Sequence, residues 1–259
     1  MTGDQHLAKL RNPPLQEVVF EVRWKPDDTK ESGTSYDSRY ELAQGRLSER
    51  LEQRGFGFHR RIVPDQLPAS FLTDQIVHQF WQAEERFPLV QFGPCILAVN
   101  EDGRTYEWER TFRPLVQETL HQLLESYKGE LTLSEVKLFY IDAVDLPAET
   151  DFLQHLQKLR VNLQLGMQDQ QELSDVKVDF GHRLDHDSTL HCSIQSATNN
   201  RTGNPALMWH TVVHRNQCEA WEKQQHLVDS VMQWCQYAHS AASNLFKDMT
   251  HGELYDSFL

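Results

Sequence analysis

Apolar residues recur at helical spacing in residues 112–127 and then fill a continuous run in the segment that follows. The helical positions are taken by Phe112, Leu115, Val116, Leu120, Leu123, Leu124 and Tyr127. This spacing is typical of an amphipathic helix whose apolar side packs on another element. After the break at Gly129, residues 136–144 are apolar at both alternating positions near their centre, which predicts a strand buried inside a sheet.

Alternating and interrupted apolar runs predict further strands. Leu15–Trp24 alternates, and its apolar side is formed by Val18, Phe20, Val22 and Trp24. The segment 88–108 predicts a strand, a Gly-Pro break, a second strand, an Asp-Gly turn and a third strand. Three more strands are predicted in the second half of the chain, at 176–180, 190–195 and 207–214.

Two further helices are predicted, one near each end of the chain. Ser38 and Glu41 have the spacing of a capping box, so we expect the first helix to begin there and to end at Gly55 and Gly57. Its apolar side is expected to carry Tyr36, Tyr40, Ala43, Leu47 and Leu51. The last helix is long enough to cross an entire sheet. Its apolar residues are Trp221, Val228, Val231, Cys235, Ala238, Ala242, Leu245 and Met249.

This order of elements predicts an α+β protein of two structurally coupled halves. Each half is expected to be an antiparallel sheet covered by helix, in a ferredoxin-like or helix-grip-like layering. We place the N-terminal half at 13–147 and the C-terminal half, which ends in the long helix, at 148–259. A loose leader is expected up to Asn12, and a polar loop at 167–174.

Composition narrows the class of protein. The 259 residues are 39% hydrophobic and 24% charged, which is typical of a soluble globular protein. No apolar run is long enough to span a membrane, and the first residues lack the pattern of a signal peptide. The four cysteines are far apart and form no C-x-x-C pair, so we expect neither structural zinc nor a disulfide framework, and a cytoplasmic location.

Charge and motifs exclude several functions. The formal net charge of −13 disfavours non-specific binding to phosphate backbones or to anionic lipid, although a local basic groove remains compatible with it. The sequence contains no G-x-S-x-G, Gly-rich phosphate loop, G-x-G-x-x-G or H-E-x-x-H motif. We therefore predict no catalytic residue and no cofactor.

Four segments resemble one family of prokaryotic proteins. They are PPLQEVVFEVRW (13–24), YEWERTFRPLVQETL (106–120), LFYIDAVDLP (138–147) and ASNLFKDMTHGELYDSF (242–258). The family is a sporadically distributed set of uncharacterised bacterial and archaeal proteins. Phe139 stands where this family usually has Arg, and Asp142 where it usually has Asn. The resemblance implies an accessory or defence-associated protein that acts through a partner encoded nearby.

Arginines cluster on and after the first predicted helix. They are Arg46, Arg50, Arg54, Arg60 and Arg61. The first three are four residues apart and share one side of the helix. With Phe56 and Phe58 they have the composition of a site for single-stranded nucleic acid, phosphate or an acidic partner. The alternative is a solvated helix face neutralised by Glu41, Glu49 and Glu52, with the two phenylalanines anchoring the helix exit.

Histidines gather on the predicted strands of the second half. By alternation, His191, His210 and His214 are expected on the outer side of these strands. Together with Asp185 or Asp187 they contain the residue types of a metal site. Their spacing matches no zinc motif, so we predict no metal and interpret these histidines as a polar surface available to a partner.

These observations favour a non-enzymatic interaction or regulatory module in the cytoplasm, as the partner or sensor of a bacterial defence or toxin-like system. The alternative is an RNA-binding protein or metal-independent nuclease that uses the basic ridge at 46–61 together with His59.

Overall fold

Helices cover one face of a large sheet. The computed structural model describes residues 10–29, 35–68, 71–147, 156, 158–161, 177–185, 187–221 and 226–259. The strands are β1 (Leu15–Trp24), β2 (Asp28–Thr29), β3 (Ser35–Tyr36), β4 (Phe58–Arg61), β5 (His78–Ala83), β6 (Arg86–Gly93), β7 (Ile96–Asp102), β8 (Leu133–Asp145), β9 (Lys177–Arg183), β10 (Ser188–Thr198) and β11 (Pro205–Asn216). The helices are α1 (Tyr40–Gln53), α2 (Arg113–Ser126), α3 (Leu227–Thr250) and α4 (Glu253–Asp256).

Nine of these strands form one antiparallel sheet in the order β4-β5-β6-β7-β1-β8-β11-β10-β9, while β2 pairs with β3. The strands of both predicted halves belong to this sheet and meet at β8, which pairs with β1 on one side and with β11 on the other. The interior position of β8 confirms the buried strand that its apolar run predicts. The α+β class, the antiparallel pairing and the long C-terminal helix are also confirmed.

The inner side of β1 shows why this strand forms where the alternation predicts it. Val18, Phe20 and Val22 are 0% exposed, whereas the residues between them are partly exposed. Leu47 of α1 and Leu123 of α2 pack into the same core and are also fully buried. Burial of each such side chain contributes about 1.5–3 kcal/mol to folding.

A buried carboxylate joins β1 to both N-terminal helices. Asp37, just before α1, accepts hydrogen bonds from the Trp24 indole Nε1 at 3.2 Å and from the Tyr127 hydroxyl at 2.6 Å. The Trp24 and Tyr127 rings meet edge to face with centroids 5.3 Å apart. The start of α1, the end of β1 and the end of α2 are thereby held at one point.

Helix α3 covers the C-terminal part of the same inner side. Its buried residues include Val231, Cys235, Ala238 and Ala242, as their spacing predicts. The indole Nε1 of Trp234 donates a hydrogen bond to Ser188 Oγ on β10 at 3.0 Å. No helix in the described part of the chain is long and apolar enough to cross a membrane.

The predicted capping box is wrong. Helix α1 begins at Tyr40, and Arg39 stands at its N-cap without a side-chain cap. Ser38 instead turns back to Asp27, which accepts hydrogen bonds from its Oγ at 3.0 Å and from its backbone N–H at 2.8 Å. Because the Ser38 hydroxyl is hydrogen-bonded to the carboxylate of Asp27 in the preceding loop, this hydroxyl does not cap the helix.

The predicted third strand of the segment 88–108 is also wrong. After β7, the Asp102 carboxylate accepts the Arg104 N–H at 2.7 Å, and the Asp102 carbonyl accepts N–H groups from Thr105 and Tyr106. The chain then enters a π-helical turn at Trp108–Phe112 that leads directly into α2. The apolar residues of this stretch serve the turn rather than a strand.

Some predictions fall outside the described residues. They concern residues 1–9 of the leader and the loop at 167–174. The segments 190–195 and 207–214 lie within β10 and β11, as predicted, and 176–180 overlaps β9.

Candidate functional site

The outer face of the sheet, opposite the described helices, carries the second set of alternating side chains of each strand. On β1 these include Glu17, Val19 and Glu21, which are partly exposed. The helical residues pack with the inner set in two apolar clusters. Two parts of this outer face differ in chemistry. One lies on β5, β6, β7 and β1, and the other lies on β8, β11 and β10.

A row of amides crosses the N-terminal part of the outer face. The Gln79 Nε2 donates to Gln91 Oε1 at 3.0 Å, the Gln91 Nε2 to Asn100 Oδ1 at 3.0 Å, and the Asn100 Nδ2 to Glu17 Oε1 at 2.6 Å. We call these four residues the amide ladder. It spans β5, β6, β7 and β1, and each member is hydrogen-bonded to the next across the neighbouring strand.

Charged residues at the middle of the outer face also pair with one another. Lys137 Nζ lies 2.6 Å from Glu135 and 3.3 Å from Glu21, and Arg23 Nε lies 2.8 Å from Glu21. Two cations and two carboxylates therefore neutralise one another across β1 and β8. This group and the amide ladder offer few unpaired polar groups to a partner.

The C-terminal part of the outer face brings together the three predicted histidines. We define the histidine face as His191, His210 and His214 with Phe139, Ile141 and Val212. Strand register places His210 opposite Ile141, Val212 opposite Phe139, and His191 opposite Val212. The rings of His191 and His214 have centroids 5.3 Å apart. The predicted parity of these histidines is confirmed: His191 is exposed and the other two are half-buried.

Two of these imidazoles are affected by burial. Burial lowers the pKa of both His210 and His214. His214 Nδ1 is buried, and a hydrogen bond with the Asn216 side chain offsets part of the effect of burial on the His214 pKa. A Cβ at Gly181 on β9 would lie 2.9 Å from His191 Nδ1, so the absence of a side chain there leaves room for the His191 ring.

The contacts recorded for the aspartates considered as metal ligands lie outside the histidine face. Asp187 lies 3.7 Å from Arg215, and the backbone N–H of Asp185 donates to the Tyr237 hydroxyl at 3.0 Å. Within the residues that the structure describes, no group of three or more His, Cys, Asp or Glu side chains is arranged to hold a metal ion.

Three of the predicted arginines tie α1 to α2. Arg46 Nη1 donates to the Ser126 carbonyl at 2.9 Å, Arg50 pairs with Glu125, and Arg54 Nη2 lies 2.6 Å from Glu118. The carboxylates that neutralise Arg50 and Arg54 therefore belong to α2, not to α1 as the alternative interpretation supposed. These contacts occupy the groups that an RNA phosphate would have to meet.

The remaining residues of the basic ridge lie in different environments and do not form one surface. Phe56 is 4% exposed and packs in the core, so its ring is not accessible for stacking, whereas Phe58 is 45% exposed. Arg60 lies over the Trp81 ring at 5.0 Å and pairs with Glu85 at 2.9 Å. Arg61 alternates to the inner side of β4, where it borders a cavity beside α1.

A half-buried polar cluster that the sequence did not reveal connects α3 to the sheet. The Tyr140 hydroxyl lies 3.2 Å from the Tyr106 hydroxyl and 2.8 Å from His239 Nδ1. The His239 ring stacks on Trp108 of the π-helical turn at 4.2 Å. Burial lowers the pKa of His239 to about 4 and raises the pKa of both tyrosines, so all three are neutral at pH 7. The cluster therefore joins α3, β8 and the turn by hydrogen bonds between neutral groups.

Asp142 is a second group whose shifted pKa was not predicted from the alternation of residues along the strand. It is 5% exposed on the inner side of β8, opposite Trp209 of β11. Burial raises its pKa to about 7, and the Trp209 indole offsets only part of this effect. The interior below the histidine face therefore holds a carboxyl group that titrates near neutral pH.

The chain matches no protein-family model, no curated protein and no solved structure. Its function is therefore inferred from the surfaces and buried groups described above.

Proposed function

We propose that this protein is a non-enzymatic cytoplasmic interaction module that binds a protein partner through the histidine face. The observation that carries the proposal is the contrast within one outer face. The polar groups of the amide ladder bond to one another, whereas the histidine face sets half-buried apolar side chains beside the exposed imidazole of His191. Apolar side chains that remain partly exposed beside polar groups are typical of a protein interface.

Charge favours a partner that carries acidic groups. The chain as a whole has a formal net charge of −13. Around the histidine face, however, Lys137 is balanced by Glu135 and Lys177 by Asp179, and Arg183 of β9 adds a further exposed cation. An acidic partner would be repelled by the rest of the molecule and accepted here, where the imidazoles also supply N–H donors.

The family resemblance supports the biological setting that we propose for this binding. The partner would be encoded by a neighbouring gene in a bacterial defence or toxin-like system, with this protein as the partner or sensor of that system. Such a module needs a recognition surface and no catalytic group.

The test compares two apolar-to-acidic substitutions in co-purification with the products of neighbouring genes. Val212→Asp introduces a charge at the centre of the histidine face. Leu42→Asp introduces the same charge on α1, where Leu42 is 68% exposed. We expect the wild type and Leu42→Asp to retain a defined neighbour-encoded partner and Val212→Asp to lose it.

Two results would refute the proposal. One is equal retention of the partner by Val212→Asp and Leu42→Asp. The other is a wild-type protein that recovers none of the neighbouring gene products while it turns over a substrate.

A further inference from the structure

A cavity lies on the inner side of the sheet edge, away from the histidine face. It opens between the start of α1, the edge strand β4 with its neighbour β5, and the loop that follows β4, and it measures about 480 Å³. That volume is in the range of sites for small molecules, roughly 300–1,000 Å³. The polar residues on its wall are Tyr40, Glu41, Gln44, Arg61, Asp65 and His78.

Arg61 is positioned in this cavity with most of its donors weakly used. Its Nη2 reaches the carbonyls of Pro64 and Leu67 only at 3.4 and 3.5 Å, at the long limit of hydrogen bonding. Its Nε lies 3.1 Å from the carboxylate of Asp65, whose side chain is 86% exposed. A guanidinium has five N–H donors in a plane, so this one keeps the capacity to bind an oxyanion at two points.

The Tyr40 hydroxyl is an unpaired polar group beside the same cavity. Tyr40 is only 3% exposed, its ring stacks on Phe92 at 5.3 Å, and its hydroxyl is buried without a hydrogen-bond partner in the described residues. A buried hydroxyl that bonds to nothing lowers stability unless something else satisfies it. An oxygen atom of a ligand would do so.

A histidine pair completes the donor side. His59 Nε2 and His78 Nδ1 lie 2.7 Å apart, and His78 is 6% exposed. Burial lowers the pKa of both rings, so they share a single hydrogen at neutral pH. When His59 donates that hydrogen, the His78 Nε2 carries an N–H of its own, and this atom has no bond to another described residue.

The same cavity also offers acceptors. Glu41 and Asp65 bring two carboxylates, and Gln44 uses its Nε2 on Ser48 Oγ at 2.9 Å, which leaves its Oε1 as an acceptor. Donors and acceptors that line one cavity suit a ligand that carries both an oxyanion and hydroxyl groups. The first turn of α1, at the positive end of the helix dipole, adds to the attraction for an anion.

We propose that this cavity binds a small hydroxylated phosphate monoester, with its phosphate on Arg61, Tyr40 and His78 and its hydroxyls on Glu41 and Asp65. This site is independent of the histidine face, so its ligand and the protein partner can be tested separately.

Calorimetry of the full chain with four probes tests the assignment. The probes are adenosine 5′-monophosphate, glucose 6-phosphate, adenosine and inorganic phosphate. We expect at least one of the two monoesters to bind, and both adenosine and inorganic phosphate to bind at least about tenfold more weakly than that monoester. Binding of neither monoester at millimolar concentration, or of adenosine or inorganic phosphate as tightly as the best monoester, would overturn the proposal.

Substitutions of cavity residues test whether the probe binds in the cavity. Arg61→Gln should weaken monoester binding by about tenfold or more, as expected on loss of a bidentate oxyanion contact. Arg86→Gln on β6, an exposed arginine outside the cavity, is the matched control and should bind as the wild type does. Tyr40→Phe should also weaken binding while the ligand-free variant melts no lower than the wild type, because the lost hydroxyl has no described partner. Unchanged binding in both Arg61→Gln and Tyr40→Phe would overturn the proposal.

Discussion

The amide ladder and the histidine face lie on the same outer face of one sheet, yet they differ in how far their polar groups are hydrogen-bonded to one another. In the ladder, Gln79, Gln91, Asn100 and Glu17 are linked by three successive hydrogen bonds. In the histidine face, the imidazoles stand among half-buried apolar side chains, and His191 is exposed. The difference indicates that the ladder serves the fold and that the histidine face is kept for contact with another molecule.

The largest effect that we predict concerns Asp142, beneath the histidine face. A change of stability with pH would be attributed to the histidines unless the contribution of the Asp142 carboxyl is measured separately. Its pKa of about 7 in the folded protein exceeds the ordinary 3.8, so the folded state holds more protons than the unfolded state between those values. Its contribution to stability is fully present below 3.8 and is lost as the pH rises through about 7.

Asp142→Asn should therefore raise the free energy of unfolding at pH 8.5 and leave it nearly unchanged at pH 4. The difference between the two effects is roughly 4 kcal/mol at most, since one pKa unit corresponds to about 1.4 kcal/mol. Urea unfolding of the wild type and the variant at both values of pH measures it. A variant that is no more stable than the wild type at pH 8.5 would show that Asp142 is not held protonated by burial.

The second prediction compares one polar-to-leucine change in each part of the outer face. Asn100→Leu leaves the Gln91 amide and the Glu17 carboxylate without their partner, so we expect a loss of about 2–3 kcal/mol in unfolding free energy. His210→Leu removes no hydrogen bond between described side chains, so we expect a change within about 0.5 kcal/mol. If the two variants lost equal stability in urea unfolding, the contrast between the two regions would fail.

A smaller effect is expected from the arginines between α1 and α2. Arg50→Ala with Arg54→Ala removes two partly exposed ion pairs, to Glu125 and Glu118, each of which is worth about 0–1 kcal/mol. We expect slightly lower stability and no change in RNA binding when the salt concentration is titrated. RNA binding by the wild type that falls steeply with salt and disappears in the double variant would instead support the RNA-directed alternative.

The sequence predicted elements whose signal is local. The alternation at Leu15–Trp24 gave the bounds of β1, and the helical spacing gave the buried side of α2. The parity of His191, His210 and His214 followed in the same way, because side chains alternate along any strand. The capping box failed because Asp27 lies eleven residues before Ser38, outside the local pattern.

The arrangement of polar partners could not be read from the sequence. The amide ladder joins residues 79, 91, 100 and 17, which become neighbours only through the strand order of the sheet. Arg46, Arg50 and Arg54 were paired with carboxylates of their own helix in one interpretation, but the neighbouring groups come from α2. Strand order and helix docking decide both cases, and no short motif encodes either.

The most direct test of the central claim is the protection of single histidines from carbethoxylation, measured by mass spectrometry with and without the neighbour-encoded partner. His191 is exposed on the histidine face, whereas His226 and His251 are exposed at the two ends of α3 and serve as controls. We predict that the partner slows the modification of His191 and leaves His226 and His251 unchanged. Equal modification of His191 in the free protein and in the complex would contradict the assignment of the histidine face as the binding surface.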